Sequence, residues 1–257
     1  MYALITGGSK GIGKCIAEEL AKKKYNLILV ARNEKELQEV SLQLANNYQI
    51  ICNYLPMDLS EIGASDKLFS FCQDKKYDIQ VLVNNAGYGL SGPFEGYALE
   101  QHKKMMQVNM NTLIELCYLF LPSLKTKQQA YILNIASTAA YQSVPGLNLY
   151  AASKAFVLSF SRGLKFELKN TAVSVTCISP GGTDTNFSNR AKVSEKALKA
   201  GEKVNMTPEA VAKIAVHAMF AKKAEAVTGF VNKLGTFMVW LLPKALTEKV
   251  AAGIYAT

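Results

Sequence analysis

Short apolar runs rich in Ile, Leu and Val recur along this chain, separated by longer stretches with helical periodicity. The runs cover residues 2–6, 26–31, 49–54, 79–84, 130–136, 172–179 and, more weakly, 226–231. Between them helices are expected near residues 11–24, 34–46, 60–73, 99–125, 150–169 and 207–221. Strands apolar on both faces need cover on both faces, and strands joined through helices run parallel. Right-handed crossovers then wind the chain into an α/β fold, a doubly wound seven-stranded parallel sheet with helices on both faces. Ligands gather at the strand C-termini of such a sheet, near the point where strand order reverses. No repeat, low-complexity tract or linker divides the sequence, so a single domain over residues 1–257 is expected.

Composition narrows the function classes. The five cysteines (Cys15, Cys52, Cys72, Cys117 and Cys177) are odd in number and none has C-x-x-C spacing. Neither a disulfide framework nor a bound metal is therefore expected. The net charge is +9, but the lysines are dispersed and no basic block interleaves with aromatics, which argues against a nucleic-acid partner. Met1 leads straight into the first apolar run without a signal-like segment, and no run reaches the ~20 apolar residues of a membrane span. A cytoplasmic location is the expectation.

The first strand runs into T-G-G-S-K-G-I-G, Thr6 to Gly13, in which Thr6, Gly7, Ser9, Lys10, Gly11, Ile12 and Gly13 are candidate ligand contacts, and then into a helix. A strand, a glycine-rich turn and a helix N-terminus make an anion site, because unpaired N–H groups and the helix dipole point at the ligand. Gly7 permits the tight turn, Gly11 lets a pyrophosphate approach, and Gly13 lets the helix pack close to the sheet.

The spacing T-G-x-x-x-G-x-G resembles the short-chain dehydrogenase/reductase family, a Rossmann-type group, and the resemblance extends over about residues 1–230. It implies that Asp58 contacts the adenine. It also implies that Asn84-Asn85-Ala86-Gly87 supports the sheet while Asn85, Ala86 and Gly87 border the cofactor. At the end of the second strand, where NAD-preferring enzymes carry a carboxylate, stands Ala31, followed by Arg32. With the carboxylate gone, Arg32 and Lys10 can clamp a 2′-phosphate, so NADP(H) is the expected cofactor.

Tyr150 and Lys154 are four residues apart on an expected helix and so share a face. A free phenol, with a pKa of about 10, is a poor base near neutrality, and a nearby ammonium favours its ionised form. Tyr150 can then exchange a proton with a substrate oxygen, while Ser137, thirteen residues earlier, polarises that oxygen. By resemblance Lys154 also binds the nicotinamide ribose, Asn109 completes a catalytic tetrad by holding a water, and Pro180-Gly181 wraps the nicotinamide end. A threonine contact beyond Pro180-Gly181 falls on Thr183 or Thr185. His102 and His217 are read as structural or surface residues.

Substrate contacts are expected from a lid at about residues 183–206, which includes Phe187 and Met206. The style of the chain resembles reductases of 3-oxoacyl groups, hydroxysteroids and other lipid-like ketones. The tail, about residues 233–257, reads as an amphipathic helix interrupted at Pro243. It could cover its own substrate cleft, form a dimer contact, or lie on anionic lipid. The resemblance implies a homodimer or homotetramer, with a dimer built through the helices at 99–125 and 150–169. The expected function is thus reduction of a small-molecule carbonyl to an alcohol. The competing readings are a non-catalytic NADPH-binding regulator and a membrane-associated scaffold.

Overall fold

A computed structural model describes residues 1–183 and 205–255. Seven parallel strands form one sheet: β1 (Tyr2–Thr6), β2 (Asn26–Ala31), β3 (Cys52–Pro56), β4 (Ile79–Asn84), β5 (Ala130–Ile135), β6 (Val173–Ser179) and β7 (Glu225–Val227). Their order is β3-β2-β1-β4-β5-β6-β7. The order reverses between β1 and β4, and parallel pairing brings every strand C-terminus to one edge.

Side-chain alternation splits the core between the two faces of the sheet. Ala3 and Ile5 of β1, Leu27 and Leu29 of β2, and Leu133 of β5 join one cluster. It is covered by helices α1 (Gly11–Lys22) and α2 (Glu34–Tyr48) and by a later helix, Pro208–Phe220. Leu4, Ile28, Leu82 and Ile132 point the other way. They meet α3 (Ala64–Asp74), α5 (Thr112–Lys125) and α6 (Asn148–Glu167). Burying both sheet faces is what lets these strands be apolar throughout.

Several boundaries depart from the sequence pattern for local reasons. The third strand starts at Cys52 rather than at residue 49, because Gln49 closes α2 in a left-handed conformation (φ 54°). Gly63, at φ 76°, postpones α3 to Ala64. The segment expected as one regular helix over 99–125 is α4 (Leu99–Met106), a π-helical turn (Gln107–Asn111) and α5. The last strand ends at Val227, since Gly229 (φ 80°) turns the chain into a helix where strand was expected to continue.

The remaining helices are α7 (Pro208–Phe220), α8 (Phe230–Leu241) and α9 (Lys244–Tyr255). Thr207 caps α7 by accepting the Ala210 N–H at 3.3 Å, with Pro208 at the first helical position. Pro243 separates α8 from α9, so the tail is an interrupted helix as its pattern suggests. Among the described residues no helix is long and apolar enough to cross a membrane.

Candidate active site

A cleft of about 970 Å³ opens over the strand C-termini. Its floor is the turn after β1, where Gly7 (φ 67°) and Gly11 (φ 52°) adopt the left-handed conformation that glycine alone takes without strain. Gly13 is required for a different reason. A Cβ there would sit 2.2 Å from the Gly7 carbonyl oxygen and 2.4 Å from Asn85 Nδ2. The start of α1 therefore lies directly against the turn, leaving a cradle of backbone N–H groups suited to a diphosphate.

Thr6 and Asn85 lock this turn to the one after β4. The Thr6 hydroxyl donates to Val83 O at 3.2 Å and accepts from the N–H groups of Asn85 (3.0 Å) and Ala86 (3.1 Å). Asn85 Nδ2 in turn donates to the carbonyls of Thr6 and Gly7 at 3.0 and 3.1 Å. Thr6 is 2% exposed and lies beneath the cleft, as does Gly13, while Gly7, Ser9, Lys10, Gly11, Ile12, Asn85, Ala86 and Gly87 line it.

The outer end of the cleft is charged. Arg32 lines it, is exposed, and has no ion-pair partner among the described residues. Lys10 is different: its ammonium is 2.7 Å from Glu36, which also accepts from Asn33 Nδ2 at 2.7 Å. Sequence reasoning missed Glu36. The signal was there in Asn33-x-x-Glu36, since Asn33 caps α2 by accepting the Glu36 N–H and the third residue of a helix folds back on its cap. Asp58 also lines the cleft. Burial works to raise its carboxyl, but hydrogen bonds from the Ser60 amide and hydroxyl, with Arg32 and Lys104 nearby, hold it below the usual carboxylate range.

At the inner end, Ser137, Tyr150 and Lys154 all line the cleft. Ser137 follows β5 and caps a short 3-10 turn, accepting the Ala139 N–H at 3.1 Å, which leaves its hydroxyl proton available to donate. Tyr150 and Lys154 lie one turn apart on α6, and the Lys154 ammonium is 5.8 Å from the centre of the Tyr150 ring. Lys154 is 5% exposed and donates to Ile135 O at 2.8 Å. Burial pulls its ammonium down to about 8.

Asn109 reaches this group through the π-helical turn. Its side chain accepts the Tyr88 N–H at 3.0 Å and donates to Tyr88 O at 2.9 Å and Ser153 Oγ at 3.0 Å. A Cβ on Gly87 would meet Asn109 Oδ1 at 3.1 Å and Lys154 Nζ at 3.3 Å, so the two side chains converge across that glycine. Asn109 is 1% exposed and clamps the loop bordering the cleft.

Pro180, Gly181 and Thr183 complete the rim, the Thr183 hydroxyl donating to Gly181 O at 3.1 Å. Thr185, Phe187 and most of the expected lid lie outside the described residues. Of the two histidines, His102 is buried with its Nε2 2.9 Å from Phe94 O, and His217 is exposed on α7. Neither lines the cleft. The tail is the other contributor that sequence reasoning did not resolve. Val231, Asn232, Gly235, Thr236 and Val239 of α8 form one wall, and Ala251 of α9 joins the apolar cluster around Tyr150.

Comparisons with known proteins agree with this geometry. The family model described as short chain dehydrogenase matches residues 1–196. An uncharacterized oxidoreductase of Staphylococcus saprophyticus is 33% identical over 217 residues, covering 84% of this chain and 90% of the relative. Among solved structures, the closed form of a serine dehydrogenase complexed with NADP+ is 32% identical with a TM-score of 0.75, covering 85% of this chain and 88% of that one. A short-chain dehydrogenase from Sphingobium yanoikuyae in complex with NADPH superposes with a TM-score of 0.82 at 24% identity, covering 95% and 97%. The glycine turn, the sheet order and these likenesses converge on one conclusion: the chain belongs to the short-chain dehydrogenase family.

Proposed function

We propose that the protein is an NADPH-dependent oxidoreductase that reduces a small-molecule carbonyl to an alcohol, with Tyr150 as proton donor. The observation that carries this reading is the convergence of Ser137, Tyr150 and Lys154 on the same cleft as the glycine turn. The backbone of residues 7–12 would hold the diphosphate, Asp58 would border the adenine, and Lys154 would bind the nicotinamide ribose. When bound, the nicotinamide supplies hydride to the carbonyl carbon. Ser137 donates a hydrogen bond to the carbonyl oxygen as charge builds on it. Tyr150 delivers a proton to the same oxygen, and the adjacent Lys154 ammonium stabilises the phenolate left behind. Asn109 holds the 85–88 loop and Ser153 in register with Lys154 and stands where a proton relay would leave the site.

For the cofactor, support comes from Ala31 and Arg32 at the end of β2 and from the NADP+ complex of the 32%-identical serine dehydrogenase. The Glu36–Lys10 ion pair makes Arg32 the main holder of a 2′-phosphate, with Lys10 a partly neutralised second. The substrate class we favour is a lipid-like ketone, because Val144 and Leu147 beside Tyr150, and Val239 on the α8 wall, add apolar surface to the cleft. We read the chain as one domain acting in the cytoplasm, as a dimer or tetramer built through α5 and α6, where Tyr118 and Phe166 stand exposed.

The test is turnover of a ketone panel with NADPH and with NADH. Tyr150→Phe is expected to retain cofactor binding and lose on the order of 10²–10⁴ in rate, the usual contribution of a general acid. Retained turnover, or a clear preference for NADH, would overturn the reading.

A further inference from the structure

Exposed large apolar side chains are unevenly spread over this molecule. Nine of the seventeen among the described residues fall between Phe230 and Val250, whereas those elsewhere stand singly or in pairs. On α8, Phe230, Leu234, Phe237 and Leu241 recur at helical spacing and form one stripe, with exposures of 81%, 51%, 54% and 59%. Asn232, Thr236 and Val239, on the opposite side of the same helix, line the cleft. The stripe is thus the outer surface of a wall whose inner surface faces the cleft. A contiguous apolar patch of this kind on a folded protein marks an interaction surface.

Charge selects the partner. From residue 226 to residue 255 there are three lysines, Lys233, Lys244 and Lys249, against the single acid Glu248, in a chain of net charge +9. A second copy docked about a two-fold axis would present the same patch to itself and bring basic rim against basic rim. An anionic lipid surface complements both the stripe and the rim. Length fixes the mode: α8 and α9 have 12 residues each, about 18 Å at 1.5 Å per residue. That falls short of a hydrocarbon core about 30 Å thick. We propose that the outer face of α8 and α9 lies in the interface of an anionic membrane, with the lysines at headgroup level and Trp240 among them. The proposal is independent of the chemistry assigned to the cleft.

Trp240 is the only tryptophan in the chain and is 78% exposed, so its fluorescence reports this face alone. The full-length protein is titrated with vesicles of phosphatidylcholine and with vesicles containing a third phosphatidylglycerol, and co-sedimentation is read in parallel. The expected result is a blue shift and sedimentation with the anionic vesicles only, reversed by salt. Because each lysine near such a surface contributes about fivefold, Lys244→Glu with Lys249→Glu should lower partitioning by roughly twentyfold or more. Phe237→Ser with Leu241→Ser should remove it, and urea midpoints verify that both variants fold. Three results overturn the proposal: no shift with anionic vesicles, equal binding to neutral ones, or a shift that follows protein concentration without lipid, which would make the face a contact between copies. The wild-type vesicle comparison decides even if a variant fails to fold.

Discussion

The turn after β1 and the tail after β7 both border the same cleft, yet they are held in opposite ways. At the turn, Gly7, Gly13, Thr6 and Asn85 are in contact through backbone and through hydrogen bonds of 3.0–3.2 Å, and little space exists for another atom. In the tail, none of the side chains of α8 is buried, and its apolar stripe is exposed. Phosphate chemistry is common to many ligands and tolerates no misplacement of the N–H groups, so its cradle is rigid. A wall that would meet the substrate, and the outer partner proposed above, needs only surface of the right character. Within one cleft, the invariant part of the task is assigned to backbone and the variable part to side chains.

Gly13→Ala attacks the rigid side of that comparison hardest. The new methyl meets the Gly7 carbonyl rather than a flexible side chain, so the loss should lie near the upper end of the 1–3 kcal/mol expected for overpacking, about 3 kcal/mol. Urea denaturation measures it, and a midpoint equal to wild type would mean the turn yields as readily as the tail. A smaller effect is expected at the charged end, where Arg32→Ala removes a charge-assisted hydrogen bond of about 1.5–3 kcal/mol and should cut the preference for 2′,5′-ADP over 5′-ADP at least tenfold. Glu36→Gln releases Lys10 and should move the same ratio in the opposite direction by only a few-fold, because an exposed ion pair is worth about 1 kcal/mol or less. Calorimetric titration of the two nucleotides separates these outcomes. Least of all, Phe237→Ser should change stability in the absence of lipid by under ~0.5 kcal/mol; a larger loss would mean the stripe is packed against its own chain.

Most of the rigid half was legible in the sequence and the pliant half only in outline, for physical reasons. Strands buried on both faces leave runs such as Ala3-Leu4-Ile5 that admit few other readings, and a strand–glycine–helix succession can hardly avoid making an anion site. Ser137, Tyr150, Lys154 and Asn109 converge because parallel pairing aligns the strand ends, and the order of elements already implies that. The Lys10–Glu36 pair was hidden because charge counting treats Lys10 as available, and only the Asn33 cap geometry turns Glu36 toward it. The π-helical turn was invisible because the apolar positions on either side, Met105 and Leu113, also suit an uninterrupted helix. In the tail, amphipathic periodicity says that one face is apolar without saying which face meets the cleft. Here polar Asn232 and Thr236 face inward and the phenylalanines outward.

The π-helical turn also has a consequence for how this chain can vary. It holds one residue more than an ordinary helix would need to join Leu99–Met106 to Thr112–Lys125, and the widened turn absorbs that residue so that the buried faces of the two halves stay aligned. Losing a single codon between Gln107 and Asn111 would restore the regular ladder with the two halves still in phase, whereas gaining one would rotate one half against the other by about 100°. Either Met105 and His102 or Leu113, Leu116 and Phe120 would then turn away from the interior they now fill. Substitutions along this stretch can be absorbed one at a time, but an added residue cannot, and a lost one would remove the widened turn that carries Asn109.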